Sequence, residues 1–96
     1  MDIGKAIKEI RKEKRISQEV LAKQAGITQA ALSQIENGTR PGTETLNKIC
    51  TALKTSEVLI YMMAIEQADV PESKKVLYEK LFPVIKSLVL QIATEE

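Results

Sequence analysis

Histidine is absent from the 96 residues and cysteine occurs once, at Cys50. The side chains that most often serve as nucleophiles, general bases and transition-metal ligands are therefore nearly missing. Serine, threonine and carboxylates are plentiful, but nothing pairs them with a base at helical spacing. An enzyme is not expected, and neither is a metal or a cofactor. Cys50 lies among Leu46, Ile49 and Leu53, on or beside the buried stripe of a helix, and reads as a core thiol in a reducing cytoplasm. A redox sensor would need an exposed thiolate of low pKa, and only Lys48 and Lys54 are close in sequence. Aromatic residues make up 3% of the chain, with no Trp, which argues against platforms that stack single-stranded bases. The informative stretch is instead Gln18 to Asn37, whose polar residues carry amides and hydroxyls.

The elements that position these groups are helical, and no segment alternates as a strand does. Ile3, Ile7 and Ile10 share a face of a first helix over 2–14, with Asp2 as its N-cap. Ser17 caps a second helix through about Ala25, and Gly26 supplies the left-handed turn after it. Thr28 caps the next, flanked by Ile27 and Leu32 as a hydrophobic staple, and Asn37-Gly38 ends it. Thr43 is read as the cap of a fourth helix to about Leu53, and Ser56 as that of a fifth to about Ala68. Pro71 marks a further start, where Leu77, Leu81, Val84, Leu88 and Ile92 recur at spacings of three or four. Pro83 interrupts this segment and predicts a kink, or two short helices meeting near Phe82. The fold class is all-α.

Composition agrees with a folded chain of a single compact core, at 44% hydrophobic and 28% charged residues. The formal charge of +1 conceals an asymmetry. Up to Thr55, ten basic residues face six acids, a net of +4, and the rest holds four lysines against seven acids, −3. Such a division suggests a front part facing nucleic acid and a back part employed differently. Charged residues from Asp2 onward leave no signal peptide, and the longest apolar run, Val58 to Ile65, is too short to cross a bilayer.

Within Gln18 to Asn37, Leu21, Ala25, Ile27, Leu32 and Ile35 are apolar, Ala22 is small and Gly26 follows it by four. Ala22 lets two helices approach, Gly26 makes the turn, and the apolar set locks the third helix across the second. Ile16-Ser17-Gln18-Glu19, Gly26-Ile27-Thr28 and Gln34-Ile35-Glu36-Asn37-Gly38 together resemble the Cro and phage-repressor type of helix-turn-helix, the Xre-like family, over about residues 3 to 63. The resemblance implies a five-helix domain, here 1–68, whose third helix enters the major groove of double-stranded DNA. The remaining 69–96 form a C-terminal helical extension.

Carried over by position, the resemblance puts Thr28, Gln29, Ala30, Ser33 and Gln34 against base edges. Gln29 and Gln34 offer the bidentate pair that matches adenine, and Ala30 can touch a thymine methyl. Phosphate contacts fall to Arg11, Ser17, Gln18, Asn37, Arg40, Gly42 and Thr43. The resemblance also implies a partly buried ion pair, Arg11 with Glu36, that ties the first helix to the end of the third. Lys5, Lys8 and Lys12 read as solvated surface. Two residues depart from the family pattern: Lys54, where a glycine commonly ends the fourth helix, and Val20, where a charged residue is usual.

The stripe Leu77, Leu81, Val84, Leu88 and Ile92 is read as a dimerisation element, since two-fold partners read half-sites about 10 bp apart. Alternatively, the segment folds back to cover Val58, Leu59, Met62 and Met63. The function expected is that of a homodimeric regulator, usually a repressor, acting on a two-fold symmetric operator. The rival is an antitoxin-like protein that holds a protein partner through 69–96 and binds DNA to regulate itself.

Overall fold

Four helices start where a side-chain oxygen meets an otherwise free amide. Asp2, Ser17, Thr28 and Ser56 accept hydrogen bonds from the N–H groups of Lys5, Val20, Ala31 and Leu59, at 3.0, 3.1, 3.0 and 3.3 Å. The computed structural model describes residues 1–94. Its helices are α1 (Ile3–Glu13), α2 (Gln18–Ala25), α3 (Gln29–Glu36), α4 (Thr43–Leu53), α5 (Glu57–Ala64) and α6 (Lys75–Thr94), and there is no strand among the described residues. The all-α expectation holds. The C-terminal segment expected over 69–96 is described as far as residue 94, so residues 95 and 96 lie outside.

Three boundaries differ from the sequence reading. The fourth helix is capped by Gly42, not Thr43: Gly42 is extended, with φ −69° and ψ 165°, and Thr43 is already helical, so no side chain closes this start. The fifth helix ends at Ala64, not near Ala68. The chain turns extended at Ile65, and the Asp69 carboxylate accepts from the Glu66 amide at 2.8 Å, fixing a separate 3-10 turn, Gln67–Asp69. A second 3-10 turn, Glu72–Lys74, follows Pro71 and leads into α6. Finally, α6 runs unbroken through Pro83 rather than splitting near Phe82. Pro83 is exposed, as is Glu79 four residues back, so the carbonyl that loses its partner lies where water reaches it.

Left-handed backbone ends both α2 and α4. Gly26 has φ 72°, as its place after α2 requires, whereas Lys54 ends α4 at φ 56° without a glycine's freedom. The core is built from α1 (Ile3, Ile7, Ile10), α2 (Leu21), α3 (Leu32, Ile35), α4 (Leu46, Ile49, Leu53) and α5 (Ile60, Met63), and α6 joins it through Val89 and Ala93. Helix α6 lies against α1 and α5. Lys86 pairs with Glu9 at 3.0 Å, Lys14 Nζ donates to the Ala93 carbonyl at 3.0 Å, and the Tyr78 hydroxyl donates to the Ile65 carbonyl at 3.0 Å. On α5, Met63 is buried and Leu59 and Met62 are half-buried, while Val58 stays 65% exposed. Among the described residues no helix is long and apolar enough to cross a membrane.

Candidate nucleic-acid interface

Helix α3 is held from behind and left open in front. Leu32 and Ile35 bury its inner side against the core, and Ile27, just before its cap, packs there too. Thr28, Gln29, Ala30, Gln34 and Asn37 are exposed and Ser33 is half-buried. The outward side thus carries amides, hydroxyls and one methyl, the groups that can pair with or touch base edges.

At the far end of α3, Glu36 is buried, its side chain 1% exposed. Arg11 grips it in parallel: Nε donates to Oε2 at 2.8 Å and Nη2 to Oε1 at 2.9 Å. Gln18 Nε2 donates to the same Oε1 at 3.0 Å, and Arg11 Nη1 donates to the Ile16 carbonyl at 2.8 Å. One carboxylate therefore joins α1, the start of α2 and the end of α3, and the turn before α2 closes on the same guanidinium. Burial alone would push the Glu36 carboxyl up. The hydrogen bonds from Arg11 and Gln18, with the charges of Arg11 and Lys8, outweigh it and hold the group below its ordinary value. Arg11 keeps two N–H bonds uncommitted and Gln18 one, beside the Ser17 cap.

Across the α3–α4 loop, Asn37, Arg40, Gly42 and Thr43 are exposed. Asn37 Nδ2 lies 3.5 Å from the Ser33 hydroxyl, too long to commit the amide. The N–H groups that open α4 have no side-chain cap. Arg40 shares a shallow hollow with Gly38, Ile3 and Gly4. The predicted base- and phosphate-contacting positions therefore fall on the outer side of α3, at the starts of α2 and α4, and at Arg11 near the end of α1, with Arg11, Gln18 and Glu36 joined by hydrogen bonds.

Sequence reasoning missed Gly4. A Cβ built there falls on the Ile35 carbonyl oxygen and 2.8 Å from its carbonyl carbon, so α1 and the end of α3 approach as closely as backbones allow. The available signal was a glycine inside an otherwise well-patterned helix. Arg15 was also missed. Its φ of 58° makes the corner between α1 and α2, and its residue type announces no such conformation. Cys50 is buried, which pushes its thiol up to about 11, with the Glu57 charge adding to the effect.

A helix-turn-helix family model matches residues 7–60, more than half of the chain. The chain is a helix-turn-helix protein. It belongs with the Cro and phage-repressor type, a family of DNA-binding transcriptional regulators. The "ImmF control region 10 kDa protein" of Bacillus phage phi105 is 37% identical over 68 residues, covering 70% of this chain and 76% of that protein. No solved structure matches significantly. In this helix-turn-helix protein the matched span runs from within α1 to within α5, so the brace of Arg11, Gln18 and Glu36 lies inside it and α6 lies outside.

Proposed function

We propose that this helix-turn-helix protein is a sequence-specific repressor that binds, as a homodimer, an operator with two-fold symmetry. The observation that carries this reading is the exposed polar side of α3, whose end is tied to α1 and α2 by the buried Arg11–Glu36 pair and Gln18. Thr28, Gln29, Ala30, Ser33 and Gln34 read base edges, and the two glutamines favour adenine-containing sites. Ser17 and Gln18 at the start of α2, Arg11 behind them, and Asn37, Arg40, Gly42 and Thr43 across the α3–α4 loop grip phosphates on either side, fixing register rather than sequence. The uncapped amides of α4 support that role.

Dimerisation falls to α6. Its inner side joins the core, while Leu77, Leu81, Val84, Leu88 and Ile92 are 52, 48, 65, 50 and 50% exposed in a row at heptad-like spacing. A second copy presenting the same row would cover it isologously.

The test is selection from random duplexes with the purified protein at a stated, near-physiological salt concentration. An enriched inverted repeat is expected, with half-sites one helical turn or a multiple apart. Binding that stays weak and indifferent to sequence would defeat the operator reading.

A further inference from the structure

Lys5, Lys8 and Lys12 stand at i, i+3 and i+7 on α1 and so share one face. With Glu36 and Asn37 they line a shallow depression between α1 and the C-terminal end of α3. Asp2 and Glu9 also reach it; Glu9 is offset by a lysine, whereas Asp2 keeps its charge, so the lysines outweigh the acids rather than standing alone. Asp2 caps α1 by accepting from the Lys5 amide at 3.0 Å, and Glu9 pairs with Lys86 at 3.0 Å. Glu36 is turned inward to Arg11. Among the described residues no carboxylate lies within ion-pair distance of Lys5, Lys8 or Lys12. The result is a positive trough that starts beside Asn37 and runs along α1.

We infer that this trough is a phosphate track, so that one strand of the duplex that receives α3 passes Asn37 and continues along α1 over Lys5, Lys8 and Lys12. The inference rests on the DNA-binding reading above and enlarges its footprint. The row spans about 10 Å at 1.5 Å per residue. Lysine suits such a track, because its compact, mobile ammonium follows a charged backbone without the planar fork that base reading favours. The track adds strength without sequence information.

The test is a salt titration of binding to the selected duplex and to an unrelated duplex of equal length. Each phosphate neutralised contributes about 0.9 to the slope of log K against log salt. The double variant Lys8→Gln/Lys12→Gln is expected to lower that slope by about 1.8 per bound protomer. It should weaken both duplexes by similar factors, and Lys8→Arg/Lys12→Arg should restore the slope. A control removing two charges elsewhere, Lys54→Gln/Lys74→Gln, should leave the slope unchanged. An α1 variant with the wild-type slope, or a control that loses as much, overturns the track while leaving DNA binding intact. Failure of the wild-type protein to bind any duplex defeats the track together with the reading beneath it.

Discussion

A carboxylate buried as deeply as Glu36 is tolerable only while its partners stay in place. Glu36→Gln keeps the shape but turns an amide toward Arg11, leaving the guanidinium without its counter-charge, a loss of about 3 kcal/mol at neutral pH. The pH dependence has a definite sign. Glu36 titrates below its ordinary value of 4.5 in the folded chain, so its stabilisation is fully present above that value and is lost as pH falls through the folded one. Urea unfolding at pH 7 should separate wild type from variant, and the gap should narrow as pH falls below the ordinary value of 4.5 and through the lower folded one. A gap of constant size across that range would mean that shape rather than charge holds the brace. The resemblance supplied the pairing of Arg11 with Glu36, because both residue types stand at the matching positions of the family pattern. It did not supply the Ile16 carbonyl as a third acceptor for Arg11, since that contact depends on the left-handed corner at Arg15, which no side chain advertises. Caps were easier to read, because a hydroxyl and an amide three residues apart need only local geometry.

Between elements, α1 and α3 approach closely at Gly4. Gly4 permits it, and Gly4→Ala sets a methyl against the Ile35 carbonyl group, which as backbone cannot yield cheaply. An alanine inside a free helix would be favourable by about 0.5–1 kcal/mol. Here that gain is outweighed, since overpacking costs about 1–3 kcal/mol and the helices must part to relieve it. Net destabilisation in thermal or urea unfolding is expected, accompanied by weaker binding to the selected duplex, because parting α1 from α3 pulls Arg11 from Glu36. A variant as stable as wild type would show that α1 can shift without consequence. Helix existence followed from apolar periodicity, and each helix appears in the order expected. Boundaries were harder where two residues could serve: Gly42 took the cap from Thr43, and the Glu66–Asp69 hydrogen bond cut α5 short although its apolar pattern offered no stop.

On the scale of the whole molecule, α6 has two apolar sides and one chain to cover them. Val89 and Ala93, with Ile85 and Leu90 beside them, face the molecule's own core, while Leu77, Leu81, Val84, Leu88 and Ile92 face outward. Periodicity located the outward row but could not decide which side the domain keeps for itself, because that choice depends on where α1 and α5 leave a gap. The dimerisation and fold-back readings thus concern different sides of one helix, and the first predicts a mass. Light scattering should give twice the chain's 10.7 kDa, and Leu81→Glu/Leu88→Glu should return it to that value. Both positions are about half exposed, so the fold itself should survive, as circular dichroism can verify. Loss of the partner should also turn binding of an inverted repeat into weak occupancy of independent half-sites, since one recognition helix reads few base pairs. A wild-type protein that stays at the single-chain mass, alone and on DNA, would exclude the second copy. The exposed row would then be left to a different protein, and the partner-binding reading of the C-terminal segment would become the stronger one.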